Sequence, residues 1–285
     1  MAVVTWGGSS STDFATAANW STGSVPTSSD DVIIPDTSSL NNPTLGATGY
    51  AKSLTINGNG TVVGGGNKII IYGEDSGGFA VNNDGIISGS LDLDIRTEAS
   101  STFDFNGTSG NFRNVTTNHA DVHIYLGGNT TIDGNLIINL GQLTCTNEGG
   151  DARTLTVAGT TTIGPDSGGA DQATLTCNAS TVSLGSGKTD GAGLNVKTGG
   201  TFTGGSGNHT IGSIVVDNNA NAKFTNTSGT ATLNGHSNDN TRTINIGGSS
   251  TCVAAGTMDV TFGTSSKLQI SNQAGVNNLT LTGNV

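Results

Sequence analysis

The chain has 285 residues, of which 33% are hydrophobic and 5% aromatic, and its formal net charge is -11. An acidic chain without a cluster of Lys and Arg lacks the electrostatic surface that nucleic acid or an anionic membrane would require. Its apolar residues are mostly Val, Ile and Leu in short alternating runs between Gly and Asn, and no helical stripe exceeds two turns. This pattern predicts a folded, all-β chain of short strands joined by turns.

Residues 1–50 differ in composition from the rest of the chain, since they contain both tryptophans and three of the four prolines. The run from Asp30 to Pro35 predicts a strand that follows an acidic turn and ends at a proline. A stack of β-coils exposes unpaired backbone groups at its ends, so an atypical terminal unit is expected there. We therefore predict that this segment is an N-terminal cap. Its expected structural residues are Trp6, Trp20, Pro26 and Asp31.

The remaining chain, residues 51–285, is predicted to wind into the coils of a β-solenoid. Strand-like runs are irregularly spaced up to residue 134, whereas a Leu or Ile recurs almost every 20 residues within 135–235, the most regular stretch. The recurring residues are Leu136, Leu155, Leu175, Leu194, Ile214 and Leu233. A nearly constant period of this size is typical of stacked repeats. We predict a parallel, right-handed β-helix with about 20 residues per coil, in which these six residues form one core ladder.

Further apolar positions fall about eight residues after each recurring residue, which predicts at least two strands per coil. The three cysteines, at 145, 177 and 252, have no close spacing and lie in apolar strand contexts. They are therefore predicted to be packing residues rather than parts of a disulfide framework or a metal site. Cys177 is expected to share a ladder with Ile138, Val157, Val196 and Val216.

The two ends of the chain bear on its location and its partners. The start has neither the pattern of a secretory signal nor a long apolar span. This predicts assembly into a particle in the host cytoplasm, or a fragment whose signal was removed. Residues 236–285 end without an evident polar cap, which predicts a partner there: another subunit, a further domain or a particle surface.

Three short motifs near the start carry a resemblance to a known family. They are Trp6-Gly7-Gly8, then Asn19-Trp20 with Val25-Pro26, and finally Asp30-Asp31-Val32-Ile33-Ile34-Pro35. This arrangement resembles the cap that precedes a right-handed parallel β-helix in phage tail or fibre components and in bacterial adhesin-like surface proteins. The specific match covers about the first 35 residues. The resemblance implies a virion or cell-surface role and no catalytic residue, and the short chain favours the phage side.

Asp92 and Asp94 form the most suggestive acidic pattern. If the neighbouring leucines point inward, both carboxylates lie on the outer face of a strand, about 7 Å apart. A pair of carboxylates can hydrolyse a glycosidic bond, one as the acid and the other as the base or nucleophile. Asp104 is expected nearby on the next coil. The alternative, which we favour, is a solvated strand face, because the sequence shows no cleft and few aromatic residues for sugar stacking.

Other polar clusters have simpler interpretations. His119, Asp121 and His123 alternate along a strand and could hold a divalent metal, but the interpretation that we favour is a solvent-facing strand of polar residues. Asp217 and Asp239 lie in Asn-rich turns that lack the ligand series of calcium loops. The segment 185–189 imitates a phosphate-binding loop but lacks the first glycine and the following helix, so a turn is predicted. We predict no metal and no cofactor.

These features predict a non-enzymatic structural or adhesive protein on the surface of a bacteriophage virion, as a fibre, a spike or a capsid decoration. The expected partners are other virion proteins, further copies of the chain in a homo-oligomer such as a trimer, and host-surface carbohydrate. Nucleic acid and membranes are not expected partners. Two alternatives stay open: a polysaccharide-cleaving tailspike that uses Asp92 and Asp94, and a fragment of a bacterial cell-surface adhesin.

Overall fold

A computed structural model describes most of the chain. Backbone and side chains are described for residues 2–98, 100–105, 110–165, 169, 172–185, 192–217, 219, 221–226 and 229–232. The backbone alone is described for residue 233 and for 241–246, 251–254, 257–260, 267–272 and 278–281.

Short strands pair in parallel with the equivalent strands of the preceding and following coils, which confirms the predicted all-β solenoid. From residue 61 onward, the chain passes through three faces of the stack in the order 3, 2, 1. Face 1 consists of β1 (Val3–Thr5), β2 (Asp31–Ile34), β4 (Ser53–Ile56), β7 (Phe79–Asn83), β10 (Ser100–Asp104), β16 (Ala173–Thr176), β19 (Gly200–Thr203), β22 (Lys223–Asn226), β25 (Thr251–Ala254) and β28 (Asn278–Leu281).

Face 2 consists of β3 (Gly49–Ala51), β6 (Lys68–Ile71), β9 (Asp92–Ile95), β15 (Thr161–Ile163), β18 (Leu194–Val196), β21 (Ile214–Val216), β24 (Thr241–Ile246) and β27 (Lys267–Asn272). Two long strands, β11 (Val115–Leu126) and β13 (Leu136–Thr144), begin on face 2 and end on face 1. Face 3 consists of β5 (Thr61–Val63), β8 (Ile86–Ser88), β12 (Thr130–Ile132), β14 (Thr154–Val157), β17 (Thr181–Leu184), β20 (His209–Ile211), β23 (Thr230–Leu233) and β26 (Thr257–Val260).

The core is a narrow apolar column between the three faces. Successive side chains of a strand point to opposite sides, so alternate Val, Ile, Leu and Phe residues point inward and are buried. On face 1, Leu175 lies between Leu143 and Phe202 of the adjacent coils. Phe202 in turn stacks on Phe224, with ring centroids 5.0 Å apart and planes inclined by 5°. Like residues on successive coils therefore form continuous rows along the axis.

The six recurring Leu and Ile residues do not form one ladder, so that prediction is wrong. Five of them are nevertheless buried in the core: Leu136, Leu155, Leu175, Leu194 and Ile214. Leu136, Leu194 and Ile214 lie on face 2, Leu155 on face 3 and Leu175 on face 1. The strand of Leu233 lies on face 3, and its side chain is outside the described part of the chain.

The spacing of about 20 residues follows a true ladder only from Leu194 to Ile214, which pair directly. Earlier in the same ladder Leu136 pairs with Thr161, 25 positions later. Thr161 then pairs with Leu194, another 33 positions later. The even period arises because most consecutive members of the series lie on different faces, while the connections differ in length. Most coils have three strands, in agreement with the prediction of at least two.

The buried cysteines pack in the core as predicted, but not in the predicted ladder. Ile138, Ile163, Val196 and Val216 form one row on face 2, and Val157 lies on face 3. Cys177 instead follows β16 and lies beside Cys145 of the preceding coil, whose N–H donates to Thr176. Both cysteines are free thiols, and burial raises the pKa of Cys177 well above its usual value. The side chain of Cys252 is outside the described residues.

An aromatic cluster closes the N-terminal end. Trp20 contacts both Trp6 and Phe14 edge to face, each with centroids 4.9 Å apart, and all three rings are buried. The indole N–H of Trp20 donates to the carbonyl of Phe14, and that of Trp6 to the carbonyl of Asn41. Burial of three rings with both indole donors paired stabilises the end of the core.

The backbone edge of the first strand is also covered. Trp6 forms an antiparallel bridge with Trp20, and Ser21 exchanges hydrogen bonds with Thr5 of β1. This crossing follows a short 3₁₀ helix, Ala17–Asn19. Because β1 pairs with β2 on its other side, the crossing protects an edge that would otherwise be free to pair with another chain.

The other two predicted cap residues lie further along the N-terminal segment. Pro26 is buried, and Asp31 accepts hydrogen bonds from Lys52 and Ser53 of the next coil. β1 and β2 are themselves stacked on β4, so residues 1–50 supply solenoid strands as well as the cover. In the part of the chain that the structure describes, no helix has the length and apolar character needed to span a bilayer.

Candidate functional site: a charged groove on face 2

The predicted acidic pair lies on the outer surface of face 2. β9 alternates as its sequence indicates: Leu91, Leu93 and Ile95 are buried in the core. Asp92 and Asp94 point to the opposite side, where their neighbours are the outward residues of β6 and β11. The geometry at these two carboxylates decides what chemistry the face can support.

Asp92 is fully engaged by donors from the next coil. Arg113 donates Nε to Oδ1 at 2.8 Å and Nη2 to Oδ2 at 2.7 Å. Asn114 adds its backbone N–H at 3.2 Å and its side-chain amide at 3.0 Å, both to Oδ1. The hydrogen bonds to Asp92 raise the pKa of Arg113, as expected for a guanidinium held against a carboxylate.

A polar row continues from Asp92 along the corner between faces 3 and 2. Asn114 Oδ1 accepts the backbone N–H of Asn135 at 2.8 Å, and Asn135 Oδ1 accepts that of Thr160 at 2.9 Å. Each side-chain oxygen thus satisfies a backbone donor one coil further on. This row fixes the spacing of the coils at the corner.

Asp94 is more deeply buried than Asp92 and has two cationic partners. Arg96 donates Nε to Oδ1 at 3.2 Å and Nη2 to Oδ2 at 2.7 Å, and Lys68 lies 3.5 Å from Oδ2. These hydrogen bonds raise the pKa of Arg96. The side chain of Asp94 is 7% exposed, whereas that of Lys68 is 43% exposed, so the cations cover the carboxylate.

This arrangement suits a structural or binding role better than glycoside hydrolysis. A general acid must hold a proton that it can deliver to the glycosidic oxygen, and a nucleophile needs an oxygen that can reach the sugar. In Asp92 and Asp94 both oxygens accept charge-assisted hydrogen bonds. Neither carboxylate presents an uncommitted oxygen to a substrate.

The ion pairs line a shallow groove with a volume of about 400 Å³. Its walls come from three adjacent coils: Lys68 from the first, the acidic pair and Arg96 from the second, and Asn114, Thr116 and Asn118 from the third. Asn135 and Ile137 border it on a fourth coil. The groove therefore follows the axis of the solenoid and not the direction of a strand.

Two tyrosines extend this surface toward the N-terminus, which the sequence analysis did not predict. Tyr50 pairs with Ile70, and Ile70 with Asp94, so Tyr50 stands in the same outward row as Asp94. Arg96 lies over the ring of Tyr72, 5.9 Å from its centroid. Tyr50 and Tyr72 are 43% and 36% exposed. They are widely separated in sequence from one another and from Arg96, so only the stacking of coils reveals the cluster.

Asp104 does not lie beside the acidic pair. It ends β10 on face 1, where it pairs with Asn82 of β7, while the coil after Asp92 and Asp94 presents Asn114 and Thr116. The expectation of a third carboxylate on the next coil is therefore wrong, because β10 belongs to a different face from β9.

The predicted histidine cluster is not assembled into a metal site. His119 points toward Glu98, with 3.6 Å between Nε2 and Oε1, and lies 3.8 Å from Asp121. His123 is on face 1, where Nε2 lies 3.1 Å from the hydroxyl of Thr144 and the ring lies 4.2 Å from Tyr125. Burial lowers the pKa of His123. Among the residues described, no group of three or more His, Cys, Asp or Glu side chains could hold a metal ion.

The remaining candidates fall in turns or outside the described chain. Asp217 accepts the backbone N–H of Thr198 and lies 3.9 Å from Lys197, which ties two coils together. Gly185 has a positive φ of 79° and donates its N–H to Val157. Residues 186–190 and Asp239 are outside the described residues, so the predictions for them stay predictions.

Part of the chain is similar to a protein domain whose function is unknown. A family model described as a domain of unknown function, DUF8693, matches residues 5–141. The matched segment includes the aromatic cap and all the residues of the groove named above. No curated protein matches the chain, and no solved structure does. The segment 5–141 thus resembles a recognised domain whose description states no activity.

Proposed function

We propose that this chain is a non-enzymatic structural and adhesive component of a bacteriophage surface, as a fibre, a spike or a capsid decoration. The observation that carries the proposal is the pairing of Asp92 with Arg113 and of Asp94 with Arg96 and Lys68. These ion pairs hold the charged side chains of face 2 in place, so this polar surface of the solenoid is suited to contact a partner.

Rigidity is the physical basis of this role. Parallel strand pairing holds successive coils together on three faces, and an apolar core runs through the part of the stack whose side chains the structure describes. Such a stack holds its outer side chains at fixed positions, separated by about 4.8 Å from coil to coil. A partner or receptor therefore meets a pre-formed surface, which reduces the entropy lost on binding.

The assignment to a virion is supported by the resemblance of about the first 35 residues to phage and adhesin caps. The expected location is the particle surface, with other virion proteins and further copies of this chain as partners. An antibody raised against the purified chain should label intact particles in electron micrographs, and mass spectrometry of washed particles should detect the chain. Purified particles without it would contradict the proposal.

A polysaccharide-cleaving tailspike is the second candidate, because the carboxylates of Asp92 and Asp94 both line the groove on face 2. The test is the release of reducing ends from host capsular polysaccharide by the wild type and by Asp92→Asn. Cleavage that is lost in the variant, with an unchanged circular dichroism spectrum, would establish the enzyme. The adhesive proposal predicts no cleavage by either protein.

A fragment of a bacterial cell-surface adhesin is the third candidate, and it shares the same surface chemistry. Genomic context separates the two: capsid and tail genes beside this one favour a virion protein, and long secreted repeat proteins favour the cell surface.

The number of copies in the assembly is measured directly by light scattering of the purified chain. We expect a homo-oligomer such as a trimer.

A further inference from the structure

We propose that the groove on face 2 binds an anionic saccharide, meaning a sugar chain that carries carboxylates such as those of uronic acids. This inference deepens the adhesive part of the proposed function, and it rests on it. Three independent features of the groove support it: the charge that faces solvent, the remaining hydrogen-bond donors and the adjoining tyrosine rings.

The charge presented to solvent is positive, although the chain as a whole is acidic. Lys52, Lys68, Arg96 and Arg113 stand on or beside this face in successive coils, and they are four of the ten basic residues of the sequence. Among the residues that the structure describes, three carboxylates pair with them, those of Asp31, Asp92 and Asp94.

The cations are also the outer members of the pairs that border the groove. The side chains of Arg96 and Lys68 are 34% and 43% exposed, against 7% for Asp94. Arg113 is 40% exposed, against 23% for Asp92. An approaching ligand therefore meets the ammonium and guanidinium groups before it meets the carboxylates, and a negative charge is attracted at short range.

The groove retains donors while its carboxylate acceptors are occupied. An ammonium group has three N–H donors and a guanidinium has five, and Arg96 uses two groups, Nε and Nη2, on Asp94. Asn135 Oδ1 accepts the backbone N–H of Thr160. The amino group of the Asn135 side chain is therefore the end that can donate a hydrogen bond to a ligand. Such a surface complements the carboxylate, ring and hydroxyl oxygens of an acidic sugar.

The tyrosine rings distinguish a saccharide from a simple anion. Tyr72 adjoins the groove through its contact with Arg96, and Tyr50 continues the row of Asp94. A partly exposed ring next to hydrogen-bonding groups can cover the apolar C–H face of a pyranose while the polar edge meets the donors. The groove runs along the axis across several coils, which suits an extended oligosaccharide.

The test measures binding of oligogalacturonate to the full chain by isothermal titration calorimetry, with its methyl ester as the uncharged probe of the same backbone. We expect the acid to bind and the ester to bind about tenfold more weakly or not at all. Binding of the acid should weaken as salt rises, because screening reduces the attraction of exposed charges. Equal binding of acid and ester would overturn the proposal.

Two substitutions assign the site. Lys68→Met removes a charge but keeps an apolar stem, and Tyr72→Ala removes the ring; each should weaken binding about tenfold. Tyr72→Phe keeps the ring and should bind within about twofold of the wild type. Lys197→Met is the matched control, since Lys197 follows β18 on the same face outside the groove and also lies near an aspartate. Equal losses in Lys197→Met and Lys68→Met would overturn the assignment.

Further experiments distinguish a failure of the saccharide site from a failure of the proposed function. A DNA oligonucleotide that binds as tightly as oligogalacturonate, with the same sensitivity to Lys68→Met, would contradict a saccharide site. The Lys68→Met variant should still be incorporated into particles, because Lys68 is half exposed and lies outside the core. Normal incorporation without saccharide binding by the wild type would refute the inference alone, whereas absence from wild-type particles would refute the proposed function.

Discussion

At the scale of single residues, the most unusual side chain is the imidazole of His209. It is 1% exposed in the core of face 3, with its ring 6.0 Å from that of Phe202. Nε2 lies 2.9 Å from the carbonyl of Gly204, while Nδ1 has no hydrogen-bond partner. Burial lowers the pKa of this group, although the contact with Gly204 opposes the effect.

This burial predicts that the chain loses stability in mild acid. An unfolded histidine titrates near pH 6.5, and folded His209 titrates lower, so the unfolded state binds more protons between the two values. Stability is therefore complete above about pH 6.5 and falls as the pH drops toward the folded pKa, by at most about 1.4 kcal/mol per pH unit for one proton. Urea unfolding between pH 5 and 7.5 measures this slope.

A variant isolates the contribution of His209, since burial lowers the pKa of His123 in the same direction. His209→Leu should have a smaller slope than the wild type in this range. Thr210→Ala alters the outward neighbour on β20 and should keep the wild-type slope. Identical slopes in wild type and His209→Leu would contradict the prediction.

At the scale of elements, the N-terminal cover depends on one buried amide. Asn19 is 1% exposed; its Oδ1 accepts the backbone N–H groups of Ser10 and Ser11, and its Nδ2 donates to Ser11 Oγ and to the carbonyl of Asp13. Since one side chain supplies both donors and acceptors, the loop before the 3₁₀ helix is held without regular strand pairing.

Asn19→Asp should therefore destabilise the cap. The substitution replaces the donating amino group with a carboxylate oxygen, which faces the carbonyl of Asp13 and leaves buried groups unpaired, at a loss of about 1–3 kcal/mol. Chemical denaturation at pH 7, monitored by tryptophan fluorescence, measures the loss. Asn57→Asp, at an exposed turn, is the control and should stay within about 0.5 kcal/mol of the wild type.

The corner between faces 1 and 3 has a different requirement, which is space for the backbone. A Cβ atom at Gly207 would collide with the carbonyl of Ser180 on the preceding coil, and one at Gly229 with that of Gly207. Two successive coils thus bring their backbones into contact at this corner. Only glycine fits there, for a steric reason and not because of an unusual φ.

Gly207→Ala should consequently destabilise the stack by more than about 2 kcal/mol, since backbone atoms of two coils must separate. Gly46→Ala is the matched control, because a Cβ at Gly46 would have no atom within 4 Å. The midpoints of thermal unfolding compare the two variants. A Gly207→Ala protein as stable as Gly46→Ala would show that the corner relaxes easily.

At the scale of the whole molecule, the fold is nearly one-dimensional, because the strands that the structure describes pair with those of adjacent coils and with no others. A core defect should therefore act locally. Phe202→Ala removes half of the stacked pair with Phe224 and should cost about 3–5 kcal/mol. Amide hydrogen exchange should accelerate in β16, β19 and β22 while β2 and β4 keep their wild-type rates.

Thr225→Ala provides the reference for that experiment, since Thr225 is the outward neighbour of Phe224 on β22 and contributes little to the core. Its exchange profile should match that of the wild type. Uniform acceleration of every strand by Phe202→Ala would instead indicate a single cooperative unit, in which the cap and the later coils unfold together.

The sequence alone determined the class of fold and the character of its first segment. Alternating Val, Ile and Leu between Gly and Asn specifies short, half-buried strands, whatever their partners. Trp6 and Trp20 stand out in a chain with few aromatic residues, and large rings are suited to close an apolar end. The outward placement of Asp92 and Asp94 follows from strand periodicity in the same way.

Only the tertiary structure decided which strands stack on which. An inward leucine looks the same in sequence on any of the three faces, so the spacing of Leu136, Leu155 and Leu175 suggested a ladder although each lies on a different face. The connections vary in length, and register is fixed by hydrogen bonds between coils. Tyr72 and Arg96, Lys68 and Asp94, and Asp92 and Arg113 meet for that reason alone.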